Sequence, residues 1–534
     1  MKRSFSVKDL CLPIAIAAGL FIVFGAFNIQ GYLSAGDHGR DLYAFARTLH
    51  GDMAYRDYWW VYGPLMPFYY ALFMKLYGVS IMSVLVGKAI LKLAAGLFIF
   101  LAVSRVAHPV AAMLGAIWFY LFSQEFFFTY NHIGGIVCIT AIAAMLMSYI
   151  KDRGMAWLWA AALTAFVLCF IKLNFGLAGL AATALGAFIT DKSCGLKTSP
   201  DKRSFYRATL IYLPLLAAAA YFYLLRGLTI YEIRQCMPYA NADHPYNSLP
   251  WVVIAQFWGL FVQKFFTSVL DFFFGCIVIT ALIRVTYLAW HERLNSKEDI
   301  QHLIALAVLG TYFIFNFHEY LKNGTWYSSL WSQPLEFMFF FILISLAVRT
   351  TGRVTRVIVF TLVAILAVMG GRGQAAIIKQ IRIPSQFLDH PKGEVFIMNS
   401  PVWTKAVMDT TDFLEKNLKP GEQFFAMPYD PIYYYLTGRK SPTQLLIYFE
   451  HINIKTEQEE RIIADLERQH INWIVISSRM RTSEPGLGTF GVTYCPLIAK
   501  YFRANFDPAT EFGDWQNDAG WASSHGTVIL KRRK

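Results

Sequence analysis

Between Gly31 and Gly78 the chain places four carboxylates, Asp37, Asp41, Asp52 and Asp57, and three guanidiniums, Arg40, Arg47 and Arg56, within 21 positions. A carboxylate within hydrogen-bond reach of a hydroxyl can take its proton, and Arg grips an oxyanion through two parallel N–H bonds. Each residue also has a plainer use. Asp37 precedes an expected helix over 39–50 and can serve as its N-cap. Asp57, in Tyr55-Arg56-Asp57, can bond turn amides. Asp41 and Arg47 suit a solvated helix face, and Asp52 after Gly51 suits a turn.

Two further groups of ionisable residues lie outside this stretch. Lys88 and Lys92 are four apart, hence on one face of an apolar helix. Cations at such depth face the protein interior or a wet cavity; snorkelling, or pairing with an acid such as Asp271, are the alternatives. Further on, His318-Glu319-Tyr320 and Lys322 precede Asn323-Gly324-Thr325, a glycosylation sequon by pattern. That segment can line the same cavity as the first loop, or be a polar interfacial turn.

The elements that hold these residues are membrane helices. The chain is 56% hydrophobic and only 16% charged, whereas soluble domains carry about a quarter charged residues. Apolar runs of roughly 17 residues or more predict about eleven spans, near 11–30, 80–104, 109–127, 132–150, 155–171, 174–190, 208–225, 267–289, 300–317, 334–348 and 355–371. Lys172-Leu173-Asn174 reads as a tight turn between two of them, and Trp251–Phe266 as an apolar segment that can lie flat at the interface. Residues 11–30 read as a retained anchor, too long for the apolar core of a signal peptide.

The net charge of +13 does not indicate a nucleic-acid partner, because no nucleic-acid motif accompanies it. The surplus falls on alternate short loops: Arg105/His108, Lys151 and Arg153, Lys192 to Arg207, Arg293/Lys297, and Arg349/Arg353/Arg356. The positive-inside rule puts these and the N-terminus in the cytoplasm. The loops at 31–78, 226–250 and 317–333 and the C-terminal region then share the outer side. Seven scattered cysteines show no metal spacing; Cys236 and Cys495 are the pair that can meet outside the membrane. The division is a membrane domain over 1–371 and an α/β domain over 372–534, with helices at Val402–Leu418 and Glu457–Gln469 and strands at Gln423–Met427, Asn472–Ile476 and Thr527–Leu530. That domain shows no nucleotide-binding or hydrolase motif and reads as a structural or acceptor-positioning cap.

The loop resembles the first outer loop of the GT-C class of membrane glycosyltransferases, which includes protein O-mannosyltransferases and the aminoarabinose transferases of lipid A. Asp37, Gly51, Tyr55-Arg56-Asp57, Gly63-Pro64, Tyr69-Tyr70 and Tyr77-Gly78 match that pattern in order. Asp430-Pro431-Ile432-Tyr433-Tyr434-Tyr435-Leu436-Thr437-Gly438-Arg439 resembles the outer C-terminal domain of bacterial members. The resemblance implies a polytopic protein of the bacterial inner (plasma) membrane that moves a sugar, with inversion, from a polyprenyl phosphate to a lipid, glycan or protein acceptor. It implies Asp37 as the base with Asp57 beside it. Arg40, Asp41, Arg56 and Lys88, with His318 and Lys322, would then serve substrate binding, the cations meeting the lipid phosphate. The chain has Asp37-His38 where many members have Asp-Glu, and Tyr62-Gly63-Pro64 where some have Lys-Pro-Pro. These departures leave a divalent metal cofactor and the exact donor open; no metal ligands are assigned.

Two other readings fit a polytopic chain. A secondary transporter would show paired halves and broken helices, and no internal repeat is visible. An oligosaccharide polymerase or O-antigen ligase would rely on basic residues of a late outer loop rather than on acids of the first.

Overall fold

Each of the eleven expected spans falls on a helix over most of its described residues. In chain order the first helices are α1 (Lys8–Phe24), α2 (Asp37–Leu49), α3 (Leu65–Tyr77), α4 (Ile81–Val106), α5 (Pro109–Phe122), α6 (Tyr130–Asp152), α7 (Met155–Cys169) and α8 (Leu173–Ser193). Long helices follow at Pro200–Tyr223, Val269–Trp290, Lys297–Asn316, Gln333–Arg349 and Arg353–Ile381. This computed structural model describes residues 8–26, 29, 31–122, 130–195, 199–224, scattered positions over 254–266, then 268–291, 293–323, 330–381, 384–483, 486–520 and 522–533. The expected loop at 226–250, with Cys236, lies outside the described residues, as does most of Trp251–Phe266; Cys495 is a buried free thiol.

Seven of the described helices are long and apolar enough to cross a membrane by length and composition; α1, α5 and α7 are shorter apolar ones. The chain is a polytopic helical membrane protein with an α/β region at its C-terminus. α6 is its axis, because it is apolar on every face and almost wholly buried, packed chiefly on α4, α7 and α8. Polar punctuation sets the helix starts. The Ser80 hydroxyl accepts the Ser83 amide at the head of α4, and Ser296 with Asp299 forms a capping box at the head of Lys297–Asn316.

Beyond Ile381 a short antiparallel pair, β1 (Phe387–Leu388) and β2 (Val395–Phe396), precedes a four-stranded sheet in the order β3-β4-β6-β5. Its strands are β3 (Phe425–Met427), β4 (Trp473–Ser477), β5 (Phe506–Gly513) and β6 (Gly526–Arg532), parallel only between β3 and β4. Sequence reasoning misses β5, since Asp507 and Pro508 interrupt its pattern. Pro is tolerated in a sheet at an edge or a bulge, and β5 is an edge strand whose register shifts between Pro508 and Thr510.

The α/β region is bound to the first loop by backbone as well as side chains. Asn399 pairs both ways with Leu33, accepting its amide at 2.8 Å and donating to its carbonyl at 2.6 Å. The Ile432 amide donates to the Ala35 carbonyl (3.2 Å), and the Ile81 amide at the head of α4 donates to Lys392 (2.9 Å). α2 is therefore held between the membrane helices and the C-terminal region, with most of its residues buried.

Candidate active site

α2 begins at Asp37 with Gly36 in the cap position. Asp37 is thus the first helical residue and not the cap that its sequence position allows. Glycine is needed before it because a Cβ on Gly36 would lie 2.5 Å from the Tyr429 ring. That ring brings its hydroxyl to the carboxylate: Tyr429 Oη donates to Asp37 Oδ1 at 3.0 Å and accepts from Arg40 Nη1, also at 3.0 Å. Arg40 Nη1 reaches Asp37 Oδ1 directly at 3.3 Å.

The other edge of the Arg40 guanidinium faces Asp41, with Nε and Nη2 at 3.1 and 2.8 Å from Oδ1. Asp37 keeps 39% of its side chain exposed, against 3% for Arg40 and 0% for Asp41. Asp41 is not on a solvated face, because α2 turns it toward the start of α6 and the Asn131 amide. Burial pushes the Asp41 carboxyl up to about 6, with Arg40 opposing the rise. Burial alone would lower the Arg40 pKa, yet Tyr429, Asp41, Tyr62 and Asp37 together hold it above its ordinary value. Of this trio only Asp37 has an open side.

The Tyr62 ring lies close to both Arg40 and a second cation. Its centroid lies 5.0 Å from the Arg40 guanidinium carbon and 5.9 Å from Lys172 Nζ. Trp60 also faces Arg40, and Trp331 and Phe175 face Lys172 at 4.9 and 5.1 Å. Lys172 pairs with Glu319 Oε1 at 2.6 Å, while Asn174 donates to Glu319 Oε2 at 2.9 Å and meets His318 Nε2 at 2.8 Å. The segment around 318 is therefore beside the first loop, as one of the two sequence readings has it. Lys172 stands in the turn between α7 and α8, a position read from sequence as a connection only. In the orientation expected from the loop charges this turn falls on the outer side, and a lysine there would run against the positive-inside rule, which is the signal that could have marked it.

The remaining candidates lie elsewhere. Arg56 and Asp57 pair with each other at 2.7 Å near the surface, the Arg56 side chain 56% exposed. Asp57 also accepts the Met53 amide at 2.8 Å, the turn bond that its sequence position allows. The neighbouring guanidinium holds the Asp57 carboxyl below the usual range. Lys88 is buried, donates to the Ile29 carbonyl at 3.3 Å, and lines a small void with His38 and Tyr130. His38 and Arg40, two residues apart, leave α2 on opposite faces, so Lys88 and Arg40 serve different sides of that helix. Asp271 is exposed near the start of Val269–Trp290. Arg47 and Asp52 pair with each other. Lys322 lies in the short helix His318–Asn323, and its side chain is outside the described residues, as is Gly324-Thr325 of the sequon.

The C-terminal region supplies groups that the first loop alone does not predict. Asp430 follows Tyr429, is wholly buried, accepts from Ser477 Oγ at 2.7 Å, and is pushed by burial up to about 6. Burial lowers the His451 pKa below its ordinary value; Arg479 lowers it further, and Asp37 raises it. Arg479 lies over the Phe449 ring at 5.2 Å. No group of three His, Cys, Asp or Glu side chains able to hold a metal occurs among the described residues. The adjacent acids Asp37 and Asp41 have the Arg40 guanidinium between them, which does not suit a divalent ion.

No protein-family model matches the sequence, and no curated protein does either. Solved structures do match. ArnT from Cupriavidus metallidurans bound to undecaprenyl phosphate superposes with a TM-score of 0.58 at 11% identity, covering 98% of each chain. The apo state of the same protein gives 0.57, again at 11% identity and 98% of both chains. The fold is that of a GT-C membrane protein. Archaeal oligosaccharyltransferase AglB from Archaeoglobus fulgidus, in complex with an inhibitory peptide and a dolichol-phosphate, matches at a TM-score of 0.49 and 12% identity, over 96% of this chain and 74% of that one. Within this fold α2, the α7–α8 turn, the His318 segment and the C-terminal region converge at one end of the bundle.

Proposed function

We propose that this protein is an inverting glycosyltransferase that moves a sugar from a polyprenyl-phosphate donor to an acceptor at the outer face of the membrane. The observation that carries the reading is one part-exposed carboxylate, Asp37, bonded to Arg40, with a second cation, Lys172, against the same Tyr62 ring that Arg40 faces. In this role Asp37 takes the proton of the acceptor hydroxyl as that oxygen attacks the anomeric carbon and the bond to the lipid phosphate breaks. The Tyr429 hydroxyl holds the carboxylate in place, and Asp41 fixes Arg40 from its other edge. Lys172 meets the negative charge of the departing phosphate, and the buried Arg40, facing the same Tyr62 ring, adds its positive charge, in a site walled by aromatic rings where the low dielectric strengthens the attraction. Such a fold in ArnT, solved with undecaprenyl phosphate, supports a lipid-linked donor. Each of these steps is assigned to a side chain of the protein itself. With the basic ends of α4 and α6 in the cytoplasm, Asp37 and the C-terminal region lie outside.

Asp37→Asn tests the reading. The amide keeps the shape and accepts the Tyr429 hydrogen bond but takes no proton. Loss of a general base costs typically about 10²–10⁴-fold in rate. Turnover with purified polyprenyl-phosphate sugar is expected to fall by that order while the melting temperature holds. A variant keeping more than about a third of wild-type turnover would be inconsistent with a base at this position.

A further inference from the structure

The end of the bundle away from Asp37 carries a second cavity, of about 1250 Å³, larger than the roughly 300–1,000 Å³ of ordinary small-molecule pockets. It opens among the ends of α4 and Gln333–Arg349 and the starts of Lys297–Asn316 and Arg353–Ile381. α4 alone, with 26 residues, separates the two ends by about 39 Å, so this is not a lobe of the Asp37 site.

Its walls are of two kinds. At the mouth stand Arg105, Lys151, Arg349, Arg353 and Arg356 against one lining carboxylate, Glu298. Arg349 is engaged by Glu298 and Asp299 at 2.8 and 2.9 Å, and Arg105 bonds Ser148 at 3.0 Å. Arg353 and Arg356 form no ion pair with a described residue and project from the same face of their helix, three positions apart. Further along, that helix presents Val357, Ala364, Ile365, Val368 and Met369 as an open apolar wall, most of them half-exposed, in a stripe that runs about 24 Å from Arg353 to Met369.

A free anion would answer the guanidiniums and leave the apolar wall uncovered. A neutral lipid would cover the wall and leave the guanidiniums without a counter-charge. We propose that the cavity binds a membrane lipid with a net-negative phosphate headgroup, the phosphate on Arg353 and Arg356 and a hydrocarbon chain along the Val357–Met369 stripe. A glycerophospholipid and a polyprenyl monophosphate share this chemistry. The proposal rests on the membrane placement of the helices and not on sugar transfer.

Native mass spectrometry of the full chain, in micelles doped with equal amounts of phosphatidylglycerol and phosphatidylcholine or with polyprenyl phosphate, reads the site directly. Wild type is expected to retain one phosphatidylglycerol and no phosphatidylcholine, and in the polyprenyl phosphate arm one lipid that Lys172→Met does not remove. Arg353→Ala with Arg356→Ala removes two charge-assisted contacts, and retention is expected to drop at least about tenfold. Ala364→Trp fills the wall without touching a charge and is expected to do the same, while Arg353→Lys with Arg356→Lys keeps part of the binding. The anionic lipid held more tightly identifies the source. Equal retention of phosphatidylcholine, indifference to both the Ala pair and the Trp variant, or displacement by inorganic phosphate at the same concentration would each overturn the proposal. Retention needs no sugar donor, so such a failure leaves the reaction proposed for Asp37 untouched.

Discussion

Tyr429 and Lys172 change what the first loop can do. The Tyr429 hydroxyl is a relay, accepting from Arg40 and donating to Asp37, so it fixes the carboxylate beside the guanidinium that also reaches it directly. Tyr429→Phe keeps the ring against Gly36 and loses both bonds. Hydrogen bonds to charged groups are worth about 1.5–3 kcal/mol, so kcat is expected to fall about tenfold or more with the melting temperature nearly unchanged. A steady-state assay with purified donor checks this, and an unaltered kcat would reduce Tyr429 to packing. Lys172 offers a test of opposite signs. Glu319 shares the Lys172 charge at 2.6 Å, so Glu319→Gln is expected to tighten donor-phosphate binding, whereas Lys172→Met weakens it by about tenfold. Titration calorimetry with polyprenyl phosphate separates the two, and shifts of the same sign would remove Lys172 from the phosphate site.

The decisive contact between elements is α2 against the short helix Ile432–Thr437. Gly39 allows it, since a Cβ there would lie 2.5 Å from the Ile432 backbone nitrogen, which a neighbouring side-chain rotation cannot relieve. Gly39→Ala must push the C-terminal region off α2 and carry Tyr429 away from Asp37. Overpacking of this kind costs typically about 1–3 kcal/mol, so both thermal stability and turnover are expected to drop. Gly19→Ala in α1 is the control: nothing lies within 4 Å of the added methyl, and the helix gains about 0.5–1 kcal/mol of propensity. If the Gly39 variant melted and turned over like wild type, the docking of these two elements would not matter to the site.

For the whole molecule, the buried acids set a pH dependence. Asp41 and Asp430 each sit near 6 in the folded protein, raised chiefly by burial from an unfolded value near 3.8. A raised carboxyl favours the protonated fold, so its contribution is complete below about pH 4 and is lost as pH rises through about 6. A rise of that size corresponds to about 3 kcal/mol per group. Asp430→Asn keeps the shape and removes the charge. Relative to wild type it is expected to be more stable at pH 7.5 and unchanged near pH 4, in melts followed across that range. A stability gap that stayed constant with pH would mean that Asp430 is not the group responsible. Orientation is testable on the same scale: cysteines introduced at Asp52 and Lys151 are expected to label from outside and inside respectively, and labelling of both from one side would undo the placement of Asp37 on the outer face.

Composition and periodicity alone determined the apolar helices and the α/β character after the last of them. Local physics suffices for those features, since a run too apolar for water has one stable form in a bilayer, and alternating patterns mark strands. Tertiary structure decided which charged residues meet. Asp37, Arg40 and Asp41 are neighbours in sequence, but α2 rotates Asp41 inward and leaves Asp37 open, and no spacing rule fixes which face a docked helix buries. Arg56 and Asp57 lie in the same loop, yet their turn pairs them with each other near the surface, away from Arg40. Lys172 and Glu319 reach the site from 147 positions apart, and Tyr429 reaches Asp37 across 392, because the packing of α7, α8 and the C-terminal region closes those distances. Contacts of that separation are paid for by the burial of the whole core, so they have no local signature to read.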